Sequence, residues 1–316
     1  MHSANQSRHA ALLLLAALVF LMTVLHVDRL GARIVNPEFV APESLYVNVA
    51  KNGNFVTGLD QENFRVSEDG QPQPFRLEAP ETPVSIALLV EHSRSSANYV
   101  PDIDATLAGF HLNGRDGNWF ALATFAGELE VRSDFTRQIS SISAAAHDFR
   151  QSRWNEINTY DAVYEMVDRM GHNPGRRILI IFGSGVDNFS EHHLDDLKRK
   201  IDAENITIFA VAPPSALRAG YDQWASLSSR MNLLPAGGLL RALANRSGGF
   251  AWLPSNVSTS SDVIQGILQS IATQYRLVYN TDAHGSWRFS RVRVEAFRLT
   301  GDRREDFKVL VRQGWR

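Results

Sequence analysis

Apolar residues near the start of the folded part of the chain fall on every second position. Leu45, Val47 and Val49 alternate with polar neighbours, Asn52-Gly53 interrupts, and Phe64 and Val66 resume before Asp69-Gly70. A period of two broken by Asn-Gly and Asp-Gly predicts antiparallel strands joined by tight hairpins. From Val84 the pattern changes. Residues 84–90 and 178–182 are almost unbroken aliphatic runs, as expected of strands covered on both faces. Segments 120–125 with 129–131, 206–211 and 250–253 also read as strands. Helical stripes are predicted at 101–112, 137–148, 161–170, 194–201, 239–244 and 263–271. Strand–helix alternation of this kind predicts a mostly parallel sheet wound with right-handed crossovers. After Tyr275 the period of two returns at 275–279, 287–297 and 307–311.

The expected fold class is therefore α/β. A doubly wound, mostly parallel sheet over residues 83–272 is inserted in a small β-sandwich built from both chain ends, 44–80 and 274–316. The N-terminal β unit is too small to stand alone, and the C-terminal strands are its natural partners. The loop at 212–238 is long for a compact domain and reads as a surface or binding loop.

The N-terminus has a different character. Residues 10–25 are apolar and uncharged, and at ~1.5 Å per residue they reach about 24 Å, against a hydrocarbon core of about 30 Å. Arg8 precedes them and no convincing small-x-small site follows. Residues 1–27 are expected to be an uncleaved signal anchor, with a cleaved signal peptide as the alternative. Residues 28–43 read as a polar tether. The soluble part is then expected outside the cytoplasm, periplasmic if anchored and secreted if cleaved.

Composition narrows the chemistry. The 316 residues carry a net charge of -2 and no cysteine. Near-neutral charge offers no field to attract nucleic acid, and lack of cysteine excludes disulfides, thiolate nucleophiles and a lipidated cysteine. No HExxH, phosphate-cradling loop or complete G-x-S-x-G elbow is present, so no enzyme is expected. His192 and His193 are adjacent and cannot chelate together as an i, i+4 pair would, which makes them surface residues of a helix. Thr159 is expected to cap the helix at 161–170, and Asp187 and Asn188 to form a turn and cap before a helix near 191.

One strand end carries more specific information. The run ending at Val90 is followed by Glu91, Ser93 and Ser95, an acid–x–Ser–x–Ser pattern that resembles the metal-ion-dependent adhesion site of von Willebrand factor type A (VWA) domains. The passages VTGLDQENFRVSEDGQPQPF, YDAVYEM, ILIIFGSGVDN, IATQYRLVYN and VRQGW, in that order, extend the resemblance to bacterial membrane-anchored proteins with such a domain. It covers roughly residues 45–316. It implies a Rossmann-like domain with its ligand face at the carboxyl ends of the strands, and protein binding there. It also implies Glu91, Ser93 and Ser95 as ligands of Mg²⁺ or Mn²⁺. Three positions depart from the family pattern: Glu91 stands for an aspartate, Ile157 for a threonine and Ser184 for a second aspartate. The site is thus expected to be degenerate, with contacts to a protein partner made by Ile157, Ser184, Trp154 and Trp224 and no obligatory cofactor. Metal-assisted adhesion through Glu91, Ser93 and Ser95 and an inert envelope scaffold are the alternatives.

Overall fold

The alternating N-terminal stretch forms five strands in the computed structural model, which describes residues 41–94, 117–147, 155–212, 237–253, 260–281 and 288–315. They are β1 (Ala41–Lys51), β2 (Asn54–Phe55), β3 (Phe64–Glu68), β4 (Gln71–Gln73) and β5 (Phe75–Glu78). Between β1 and β2 the chain turns through Asn52 and Gly53, and between β3 and β4 through Asp69 and Gly70. All four residues have positive φ, from 49° to 84°. Two consecutive left-handed residues match the twist of the flanking strands, which is why Asn-Gly and Asp-Gly occupy these corners.

The aliphatic runs build a second kind of layer. β6 (Val84–Glu91), β7 (Trp119–Phe125), β8 (Leu129–Thr136), β9 (Arg176–Phe182), β10 (Ile206–Val211) and β11 (Ala251–Trp252) form one sheet in the order β11-β10-β9-β6-β7-β8. Every pairing in it is parallel except that of the edge strand β8. β6 is buried along its whole length, so both faces need cover. Alternate residues supply it. Ala87, Leu89, Leu179 and Ile181 pack under α2 (Thr159–Gly171), α3 (Leu194–Ala203) and α4 (Gly238–Ser247). Ile86, Leu88, Ile178 and Ile180 pack on the opposite face against α1 (Ile139–His147) and α5 (Ser260–Thr273). The result is an α/β layer with helices on both sides of a mixed sheet. The helix expected at 101–112 and most of the loop expected at 212–238 lie outside the described residues.

The chain then returns to strands: β12 (Tyr275–Thr281), β13 (Ser290–Thr300), β14 (Arg303–Asp306), β15 (Lys308–Leu310) and β16 (Gly314–Trp315). Each end of the chain contributes to two further sheets, in the orders β15-β1-β12-β5 and β14-β13-β3-β4. Leu45, Val47 and Leu277 from one sheet and Phe64, Val66 and Val294 from the other share a hydrophobic cluster with Trp315.

Side chains tie these strands to the α/β layer. Asn48 on β1 donates to the Ser270 carbonyl of α5 at 2.8 Å. The guanidinium of Arg312, buried and stacked on Trp315 at 3.5 Å, donates to the carbonyls of Asp202 and Glu204 at 2.9 and 3.0 Å. Residues Ala41–Arg316 accordingly form one compact unit. Among the described residues no helix is long and apolar enough to cross a membrane; the apolar run at 10–25 lies outside them.

Candidate functional site

In an open sheet with helices on both faces, ligands bind beyond the carboxyl ends of the strands, where the strand order reverses. Here the reversal falls between β6 and β9. The chain leaves β6 towards β7 and β8, then adds β9 on the other edge of β6. Two of the residues singled out in the sequence stand at this point, Glu91 as the last residue of β6 and Ser184 just past β9.

They face each other. Glu91 is 1% exposed and Ser184 2%. Glu91 Oε2 accepts both the backbone N–H and the hydroxyl of Ser184, each at 2.7 Å. Glu91 Oε1 accepts the Ser93 hydroxyl at 2.9 Å. The close approach depends on Gly183, where a Cβ would lie 2.8 Å from Glu91 Oε2. A carboxylate out of water needs donors on its lone pairs, and this one has three.

The loop that follows is pinned to the start of α2. Asn188 accepts the Ile157 N–H with its side chain at 2.7 Å and donates its own N–H to the Ile157 carbonyl at 3.0 Å. Asp187 Oδ1 accepts the Tyr160 N–H at 2.8 Å and the Ser190 hydroxyl at 2.6 Å. Burial pushes the Asp187 carboxyl above the usual carboxylate range, partly offset by these hydrogen bonds. Asp161 returns the favour, accepting the N–H groups of Glu191 and His192 at 2.9 and 2.8 Å.

Several expectations are corrected here. Ile157 and Ser184, expected as partner contacts, are buried. The hydrocarbon at Ile157 has no hydroxyl to keep it at the surface and packs with no exposure into the core under α2–α4. Ser184 turns its polar groups inward onto Glu91. Thr159 is the first helical residue of α2, with Asn158 as N-cap, and its hydroxyl donates to the Val186 carbonyl. Asp187 and Asn188 serve α2, not a helix starting at 191. His193 is the N-cap of α3, and its N–H donates to Asp196 at 2.9 Å. His192 precedes the helix; its ring stacks on Tyr164 at 4.0 Å and its Nδ1 lies 2.8 Å from Asp161 Oδ1. Ser95, Trp154 and Trp224 lie outside the described residues.

Among the described residues the donor set does not fit a hard divalent ion. Mg²⁺ requires near-octahedral oxygen ligands, normally including carboxylates. Among the described residues Glu91 is the one carboxylate at the family's ligand positions, and the N–H of Ser184 directs a proton, not a lone pair, at its Oε2. Ile157 supplies no side-chain donor atom. Among the described residues no group of three or more histidine, aspartate or glutamate side chains could hold a metal.

One exposed group escaped the sequence reading. Phe189, in the middle of the pinned loop, is 62% exposed. The signal is a lone aromatic inside the polar run Asp187-Asn188-Phe189-Ser190, where turn chemistry alone asks for no apolar side chain. A cavity of ≈ 460 Å³ walled by Pro83, Trp119, Phe135 and Pro174 opens at the amino ends of β6 and β7, opposite the loop. Its acid, Glu81, is already engaged by Tyr46 and by Arg276 at 2.6 Å.

No protein-family model matches the sequence, and no curated protein matches it. Solved structures similar to this chain include an aerotolerance-related membrane protein from Bacteroides fragilis, at 11% identity and a TM-score of 0.46. That likeness covers 60% of this chain and 99% of the other. BatB from Bacteroides thetaiotaomicron is similar at 12% identity and a TM-score of 0.42, over 60% of this chain and all 100% of BatB. The VWA domain of SpRpn10 is similar at 16% identity and a TM-score of 0.39, over 57% and 93% of the two chains.

Proposed function

We propose that this chain is a non-enzymatic protein-interaction module of VWA-related type, held at the cell membrane by residues 10–25 with its folded part outside the cytoplasm. The chain-end sheets close as a sandwich that carries the α/β layer. The contact surface is the β9–α3 loop at the carboxyl end of the sheet. The observation that carries this reading is Phe189. A large apolar side chain left 62% exposed on a loop fixed by at least six hydrogen bonds is a preorganised anchor, and aromatic anchors on rigid supports dominate binding at protein interfaces. Trp154, three positions before Ile157 in sequence, and Trp224 join the contact surface on sequence grounds. A binding role is favoured over catalysis because the Ser184 hydroxyl is buried and committed to Glu91 and to the Val186 N–H at 3.2 Å. At 2% exposure no substrate atom can reach that hydroxyl.

A photoreactive phenylalanine analogue at position 189, in the full chain in its native membrane, tests this. It is expected to give a discrete protein adduct. The same analogue at Leu299, equally exposed at 61% but on the β13–β14 hairpin, is expected to give none. Phe189→Ser should abolish the corresponding complex while leaving the melting temperature unchanged. Identical adducts from both positions, or none from 189, would remove the proposal.

A further inference from the structure

The engagement of Glu91 with Ser184 and Ser93 has a consequence for the loop. We propose that Glu91 is a built-in substitute for a bound cation, a carboxylate latch that joins the ends of β6 and β9 and holds the β9–α3 loop in one arrangement without any ion. A divalent ion at a strand switch point links loops by taking ligands from each. Here one side chain makes the link directly, reaching across from β6 to take the N–H and O–H of Ser184 on Oε2 and the hydroxyl of Ser93 on Oε1. Charge-assisted hydrogen bonds of this length are about twice as strong as neutral ones, and the site is almost dry. To bind through Oε2 a cation would have to displace the Ser184 amide proton, and an amide nitrogen offers no ligand in exchange. Gly183 completes the fit by leaving room for the carboxylate.

The latch is continuous with the displayed loop. Ser184 Oγ accepts the N–H of Val186, the Val186 carbonyl accepts the Thr159 hydroxyl, Asp187 binds Tyr160 in the first turn of α2, and Asn188 binds Ile157 just before it. Phe189 is therefore presented constitutively, and its display is not gated by metal. Only this last consequence rests on the binding role proposed above; the latch itself requires no partner.

Hydrogen exchange of the full chain, with thermal melting in parallel, separates the possibilities. The probes are EDTA, Mg²⁺ and Mn²⁺ at millimolar concentration. In the wild-type chain, amide protection over residues 184–190 and the melting temperature are expected to be the same in all three. Ser184→Ala and Glu91→Asp should each speed exchange in that segment by about tenfold or more, since either removes hydrogen bonds to a buried charge. Protection elsewhere in β9 and β10 should hold, and neither metal should restore the loop. A metal-dependent rise in protection or melting temperature that Glu91→Gln abolishes would overturn the latch in favour of an ion site. Unchanged exchange in Ser184→Ala would overturn it as well, and that variant keeps the test open should Glu91→Asp fail to fold. Partner adducts at position 189 do not enter these readouts, so the two proposals can fail separately.

Discussion

Gly183 is where the site is tightest. Its Cα sits against Glu91, and a methyl group there would lie 2.8 Å from Oε2 and 2.9 Å from the Glu91 Cβ. Neither atom can move away cheaply, since one is held by Ser184 and the other belongs to a fully buried strand. Gly183→Ala is expected to cost about 1–3 kcal/mol as an overpacked core position. In the double variant with Glu91→Ala the penalties should fall short of additive, because the second change vacates the space the first invades. Urea unfolding of the two single variants and the double variant measures this, and strict additivity would mean the two residues do not press on each other. Glu91 and Ser93 are legible in the sequence because an acid–x–Ser pair closing an aliphatic run marks a strand end at a ligand face. What the pattern cannot show is direction. Whether Ser184 points to solvent or to Glu91 depends on the distance between β6 and β9, which is set by packing and not by neighbours in sequence. Ile157 was expected at the surface only because of its place in a family pattern; its own chemistry, a β-branched hydrocarbon, argued for the core.

At the scale of elements, α2 starts without a capping side chain of its own. Asn158 makes no cap bond; its amide reaches the Gly127 carbonyl instead, at 2.7 Å. The cap comes from Asp187, which accepts the Tyr160 N–H from 27 positions further along the chain. Asp187→Ala should destabilise the protein by about 1–2 kcal/mol, the range for losing an N-cap acceptor. Because burial already pushes this carboxyl up, the negative charge is worth less here than at an exposed helix start. Asp187→Asn, which keeps the acceptor oxygen, should then be tolerated far better than alanine. Chemical denaturation of the two variants decides it; equal losses would show that the charge, and not the acceptor, does the capping. A cap supplied from a distant loop is invisible to local signals, and Thr159 looks like the cap only because good helix formers follow it. The hairpins are the opposite case. Asn52-Gly53 and Asp69-Gly70 carry their own backbone requirement, so their turns can be placed from two residues alone.

For the whole molecule, buried tyrosines at the seam with the α/β layer and inside the chain-end cluster couple stability to alkaline pH. Tyr46 on β1 donates to Glu81, and Tyr279 on β12 accepts from Trp315 at 2.7 Å. Burial raises the phenol pKa of both well above its ordinary value, with Glu81 and Glu68 adding to the effect; burial raises Tyr160 and Tyr275 too. Burial pulls the guanidinium groups of Arg176 and Arg312 down, but a guanidinium stays protonated in proteins, and these two donate to the carbonyls of Ile271 and of Asp202 and Glu204 respectively. The sign for the tyrosines follows from linkage. A phenol whose folded value exceeds its unfolded value near 10 contributes stability that is complete below pH ~10 and is lost as pH rises towards the folded value. Tyr46 and Tyr279, the two most strongly raised, should each remove about 1.4 kcal/mol per pH unit between about 10 and the folded value. Tyr46, Tyr160, Tyr275 and Tyr279 are all shifted in this direction, so the folded chain should show delayed tyrosinate absorbance, with Tyr46 and Tyr279 ionising in the same step as it unfolds. Tyr279→Phe should flatten the alkaline limb of the stability curve, since phenylalanine has no proton to lose in the unfolded state. A limb equally steep in that variant, or free titration of Tyr46 and Tyr279 before unfolding, would show that these two phenols are open to solvent in the folded chain.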